Sequence, residues 1–189
     1  MGEGFLQSSD DRSLARDIFL RSPLAVCISM MAPSSWRCVS DANLDIKFKS
    51  TPAETLTLWD ESILAVDTFD RLFVWSGTSV LGEQFDHLRK ACLSYLLDRS
   101  KSRFPAPQLH GLIEGDPLCR ELTSRLAPSH GDQDDVQLQH FPDLATLNSQ
   151  SLVFLRGKFR IYNKEKDPSL RHWFSNASQT PGQGKSLCC

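Results

Sequence analysis

The chain lacks any apolar run long enough to cross a bilayer. Its longest, Leu24 to Ala32, is interrupted by Ser29 and falls far short of the roughly 18 residues a membrane-spanning helix needs. It also lacks a dominant charge: 21 Lys and Arg face 23 Asp and Glu, a net charge of −2, so nothing global recruits nucleic acid or an anionic membrane. There is no C-x-x-C pair among the six cysteines, which argues against a structural zinc site. Cys27, Cys38, Cys92 and Cys119 stand in apolar or helical surroundings and are expected to be small buried hydrophobes in a reducing compartment. G-x-G-x-x-G, the P-loop, G-x-S-x-G and H-E-x-x-H are all missing, so no nucleotide cradle, hydrolase elbow or zincin helix is indicated. His87, His110, His130, His140 and His172 have no ligand spacing. Asp60-Glu61 and Asp134-Asp135 read as solvated acids. The expectation is therefore a chain with no metal, no cofactor and no self-contained catalysis. Met1-Gly2 opens like a myristoylation site, but Leu6 stands where Ser or Thr is needed, and no basic segment before an apolar core announces a signal peptide. Asn176-Ala177-Ser178 is a formal glycosylation sequon, without consequence in the cytosol.

What is present centres on Arg103 to Ser129, RFPAPQLHGLIEGDPLCRELTSRLAPS. Pro105 and Pro107 hold its start extended. Asp116 is a good N-cap and Pro117 a good first helical residue, since its missing N–H would have no helical partner. Leu118, Leu122 and Leu126 follow at spacings of four and form one face. At about 100° per residue, Arg120 lies roughly 160° from the middle of that stripe, so packing turns it outward. Pro128 stops the helix.

The rest of the chain supplies a scaffold. Residues 1–11 are polar and expected to be disordered. Leu14, Ala15, Ile18 and Phe19 mark a short amphipathic helix. Leu24 to Met31 is a buried helix or a strand, which periodicity cannot separate at this length. Residues 34–54 alternate weakly and read as a poorly defined strand or loop. Leu56 and Leu58 between Thr55 and Thr57 give a strand signal. Ser62 to Gly77, SILAVDTFDRLFVWSG, reads as two apolar strands joined at Asp67-Thr68-Phe69-Asp70, a central hairpin covered on both faces. A helix follows from Gly82 to about Arg99 with Phe85, Leu88, Cys92, Tyr95 and Leu96 on its core face. Leu109 to Ile113 is a strand. Val136 to Leu147 is a helix bent or restarted at Pro142. Leu152 to Tyr162 alternates like an amphipathic strand, and residues 163–189 are polar apart from Trp173-Phe174. This mixture gives an α/β fold, a mixed sheet sandwiched between helices.

Several blocks, taken in order, carry a family resemblance. They are Phe19-Leu20-Arg21 with the apolar run to Pro33, Ser62-Ile63-Leu64 with Asp67-Thr68-Phe69, and Trp75-Ser76-Gly77 before the long helix. Arg103-Phe104-Pro105-Ala106-Pro107, Arg120 to Ser129, and Asp134-Asp135-Val136-Gln137-Leu138-Gln139 complete the series. Over residues 12–148 the chain resembles the C-terminal part of the COPII inner-coat subunit that activates the Sar-family GTPase, the Sec-twenty-three family. The resemblance implies a remnant of that family's helical domain at 12–33, a gelsolin-like domain at 34–148, and an extra, mostly disordered tail at 149–189.

It further implies that Arg120 is the arginine finger supplied to the partner GTPase. The implied partners are that Sar-family small GTPase, the COPII cargo-binding subunit and the proline-rich segments of the outer coat. The implied place is the cytoplasmic face of endoplasmic reticulum exit sites and COPII vesicles, as a peripheral protein with no nucleic-acid role. The chain departs from the family pattern in having Asp116-Pro117-Leu118 before the arginine and Glu121 after it, which sets a negative charge beside the finger. The zinc finger, trunk and barrel of the family are not in this sequence. A non-catalytic docking module, with Phe104 or Trp75 as its aromatic surface, is the alternative reading. An actin- or phosphoinositide-binding gelsolin relative is a weaker third, without a calcium-ligand cluster or basic patch to support it. The terminal Cys188-Cys189, preceded by Arg156, Lys158, Arg160, Lys164, Lys166 and Arg171, has the form of a double-cysteine prenylation signal.

Overall fold

The computed structural model describes residues 17, 19–41, 45–104 and 106–160. They fall into two compact units, Met1–Leu126 and Ala127–Cys189.

The first unit is built on a five-stranded sheet in the order β2-β1-β3-β4-β5. Its strands are β1 (Ser34–Ser40), β2 (Ile46–Thr51), β3 (Ile63–Asp67), β4 (Arg71–Ser76) and β5 (Gln108–Ile113). All pairings are antiparallel except β4 with β5. The chain is therefore α/β with a mixed sheet, as the sequence indicates. The expected central hairpin is β3 and β4. Every residue of β3 is buried and β4 is buried from Leu72 onward, which is why both strands read as unbroken apolar runs. Their turn is tight: the Thr68 N–H donates to the Arg71 carbonyl at 3.0 Å, and Phe69 takes a positive φ of 72°.

Side chains alternate across the sheet. Cys38, Ile63, Ala65, Leu72 and Val74 face one way and join Leu88, Cys92 and Leu96 of the long helix α2 (Asp86–Ser100) in one core cluster. Fully burying a leucine of this kind contributes about 1.5–3 kcal/mol. On the opposite face lie Phe73 and Trp75, also fully buried. Arg37 of β1 points into that face and lies 3.7 Å over the Trp59 ring. Gly77, which ends β4, has no room for a side chain: a Cβ there would lie 2.2 Å from the Asp60 carbonyl oxygen.

Several expectations change. The stretch read as a poorly defined strand or loop contains two regular, paired strands, Ser34–Ser40 and Ile46–Thr51. Thr55–Thr57 is a buried 3-10 turn, not a strand; its threonines are buried beside its leucines, so the alternation in sequence is not an inside-outside alternation. Leu24–Met31 is helix α1, and among its described side chains Cys27 is buried while Leu24 and Ile28 are 76% and 55% exposed. Of the short helix expected before it, residues 17 and 19–21 are helical; Leu14, Ala15 and Ile18 lie outside the described residues.

In the second unit, α4 (Asp134–His140) is followed by a 3-10 turn (Pro142–Thr146), the restart expected at Pro142. Residues 149–160 then form helix α5 rather than a strand. Asn148 starts it: its side-chain Oδ1 accepts from the Ser151 N–H at 2.8 Å and its carbonyl from the Leu152 N–H at 3.1 Å. Gln137 joins the parts. Its Nε2 donates to the carbonyls of Ser129, His130 and Asp132 at 3.3, 3.3 and 3.0 Å, and its Oε1 accepts from Arg156 Nε at 2.7 Å. The tail expected to lack structure thus begins with a helix. The remainder, from 161 and including Trp173-Phe174, the sequon, Cys188 and Cys189, lies outside the described residues.

Candidate functional site

β5 ends at Ile113 and the chain reverses through Glu114-Gly115. Gly115 has φ +93°, a conformation glycine adopts without strain. The Asp116 N–H closes the turn on the Ile113 carbonyl at 2.9 Å. Asp116 then acts at the start of helix α3 (Cys119–Thr123): its Oδ1 accepts from the Leu118 N–H at 2.8 Å. The helix is shorter than the leucine spacing suggests. Leu122 and Leu126 are buried at 0% and 4% exposure, but Leu118 is 49% exposed and precedes the helix rather than lying on its packed face.

Arg120 is exposed. Its backbone carries the helix, the carbonyl accepting from the Ser124 N–H and Thr123 Oγ1 at 3.0 and 3.1 Å. Its guanidinium makes no ion pair with any described residue. The other two arginines of the stretch behave oppositely. Arg103 grips Asp67 with both terminal nitrogens, at 2.7 and 2.5 Å. Arg125 grips Asp70 at 2.5 and 3.0 Å and also donates to Thr68 Oγ1 at 2.9 Å. Asp67 ends β3 and Asp70 closes the three-residue turn to β4, so the stretch that bears Arg120 is tied at its two ends to one end of the central hairpin. Asp67 holds the Arg103 guanidinium charged, its pKa pushed up by the hydrogen bond.

Glu121, expected to place a negative charge beside Arg120, is occupied elsewhere. It forms an ion pair with Arg71 of β4 and lies 3.6 Å from Arg125, and its side chain is only 13% exposed. Two guanidiniums compensate its charge, and the carboxylate faces the sheet. Arg71, Glu121, Arg125 and Asp70 form a continuous chain of ion pairs from strand to helix to turn.

Cys119 is half-buried beneath the helix, and its thiol donates to the Ile113 carbonyl at 3.1 Å. Burial, with the nearby Asp116 charge, pushes its pKa up. Cys92 is fully buried and hydrogen-bonded to Cys38, which also raises it. Neither is a reactive thiolate. Of the two aromatics considered as a docking surface, Trp75 is 2% exposed and is core; Phe104 is 97% exposed. Among the described residues, no group of three or more His, Cys, Asp or Glu side chains is placed to hold a metal ion, and no helix is long and apolar enough to cross a membrane.

No protein-family model matches the chain. Among curated proteins it is similar to "Protein transport protein SEC23 A" of Arabidopsis thaliana, 25% identical over 174 residues, which is 91% of this chain and 19% of that protein. The resemblance drawn from the sequence blocks is the one this comparison finds, and the chain spans less than a fifth of that relative. Among solved structures it is similar to a chain of the crystal structure of the Thorarchaeota 2DGel3/rabbit actin complex. That likeness is 14% identical, covers 46% of this chain and 41% of the other, and has a TM-score of 0.39, too slight to carry an argument.

Proposed function

We propose that the chain is a COPII vesicle-coat component, or a piece of one, that stimulates GTP hydrolysis by a Sar-family small GTPase in transport from the endoplasmic reticulum to the Golgi. The observation that supports this most is the contrast among the arginines of one stretch. Arg103 and Arg125 are fully engaged in the fold, whereas Arg120 is exposed and holds no described carboxylate. A guanidinium kept free on an anchored helix suits a group supplied in trans. It is planar and permanently charged, and it can neutralise charge developing on the transferring phosphoryl oxygens. In this reading Arg120 acts on the partner's reaction and the chain performs none of its own. Its further partners are the cargo-binding subunit and proline-rich outer-coat segments, at the cytoplasmic face of exit sites.

Single-turnover GTP hydrolysis by the purified GTPase tests this. Fingers of this type accelerate hydrolysis by about 10³–10⁵-fold; the wild-type chain should stimulate strongly and Arg120→Ala should return the rate to the basal one. Absence of stimulation by wild type at saturating concentration removes the reading.

A second reading rests on Phe104, whose ring is almost wholly in solvent between Arg103 and Pro107. A non-catalytic docking module would use it to receive a proline-rich segment, since such segments dock against aromatic surfaces. Loss of peptide binding in Phe104→Ala, with no GTPase stimulation by wild type, would favour this alternative.

A further inference from the structure

We propose that Glu121 and Arg125 are positioning residues for Arg120, and that the ion-pair chain Arg71–Glu121–Arg125–Asp70 sets the direction in which Arg120 leaves the protein. This rests on the finger reading above and adds to it the parts that aim the finger.

Helix α3 has five residues, too few to be stable by itself. Its buried apolar anchors are Leu122 within it and Leu126 just after it. Two side chains of one spacing fix how deep the helix sits, but leave it free to roll about its axis and to tilt. The charged contacts remove both freedoms. Arg125 meets Asp70 through two nitrogens on two oxygens, at 2.5 and 3.0 Å. Such a bidentate fork fixes a plane as well as a distance. Glu121 adds a second point one residue after Arg120, held between Arg71 and Arg125. The far ends of these contacts are not loose either. Asp70 and Thr68 belong to the β3–β4 turn, and Arg71 begins β4, an interior strand paired on both sides. At about 100° per residue, a helix held by Glu121 and Leu122 presents Arg120 on its outer side.

The arrangement is a poor choice for stability alone. A desolvated ion pair is often no better than apolar residues of the same volume, and a leucine pair would hold α3 as tightly to the sheet. What it supplies is a defined orientation. Orientation matters for a finger because a displacement of about 1 Å at a reacting centre can cost on the order of 10²-fold in rate.

Two variants test this without removing either side chain: Glu121→Gln, which keeps shape and loses charge, and Arg125→Lys, which keeps charge and loses the fork. In the single-turnover assay, each should lower the maximal stimulated rate by about tenfold or more, while the concentration for half-maximal stimulation stays within about twofold of wild type. A residue that merely held the fold together would do the reverse: through the fraction of folded chain it would raise the concentration for half-maximal stimulation and leave the maximal rate unchanged. Hydrogen exchange on the chain alone gives a second readout: amides of residues 119–126 should exchange about tenfold faster in both variants, with β3 amides unchanged.

The proposal is overturned if exchange in 119–126 is unchanged, or if exchange accelerates while an active wild type and both variants stimulate equally. If neither wild type nor Arg120→Ala stimulates the GTPase, the finger reading fails; the exchange measurement then still decides whether these residues hold α3.

Discussion

The two helices that flank the sheet are held to it by different physics. The long helix α2 is held by carbon against carbon: Leu88, Cys92 and Leu96 pack on Cys38, Ile63, Ala65, Leu72 and Val74, and at its β1–β2 side Tyr95 stacks on Phe48 at 4.1 Å and meets Trp36 edge-on at 5.2 Å. The short helix α3 is held by two leucines and by guanidinium against carboxylate. The apolar contacts are non-directional and scale with the area they bury. The charged side supplies less net stability but a fixed geometry. The apolar attachment of α2 and the charged attachment of α3 thus lie on opposite faces of one sheet.

That division can be broken by substitution. Leu96→Ala, on the apolar face, should cost the most, about 2–5 kcal/mol, read as a lower urea midpoint at unchanged slope. An effect under about 1 kcal/mol would show that the core relaxes around it. Asp67→Asn leaves Arg103 with half its fork and an uncompensated, largely buried charge; it should cost about 2–3 kcal/mol, with the loss of protection largest in residues 103–113. Arg120→Ala should shift stability by no more than about 0.5 kcal/mol, because its guanidinium holds no described partner; a larger loss would place Arg120 in the fold rather than on offer. The smallest effect is chemical. Because burial raises the Cys119 pKa, less thiolate is present at a given pH, so its alkylation at neutral pH should be slower than that of a free thiol. The rate should climb as pH passes the ordinary thiol range, and fast labelling at neutral pH would contradict the burial.

The sequence announces the apolar face better than the charged one. β3, β4 and α2 are legible because continuous apolar runs and a clear helical face follow directly from burial. The β1–β2 hairpin is hidden because Arg37 points into the core and stacks on Trp59, which breaks the alternation a half-buried strand should show. Helix α5 is hidden because Val153 and Phe154 are exposed while Leu155 is buried, so its apolar letters mimic a strand. The position and exposure of Arg120 are legible from helical spacing. The contacts that surround it are not: Arg103–Asp67 spans 36 residues and Arg125–Asp70 spans 55, and no local pattern pairs them. Glu121 read alone looks like a bare negative charge beside Arg120; its compensation by Arg71 and Arg125 exists only once the sheet has formed.

The parallel pairing of β5 with β4 has a consequence in time. Antiparallel β3 and β4 need only their three-residue turn to meet. β5 can join β4 only after the chain has travelled the length of the sheet and back through α2, so its closure entropy is met late. Residues 103–125 are therefore expected to dock last in this unit, so during refolding β3 and β4 amides should gain exchange protection before those of β5. On a ribosome or after dilution from denaturant, the hairpin is a waiting template, and Arg120 is presented only by chains that have already finished folding.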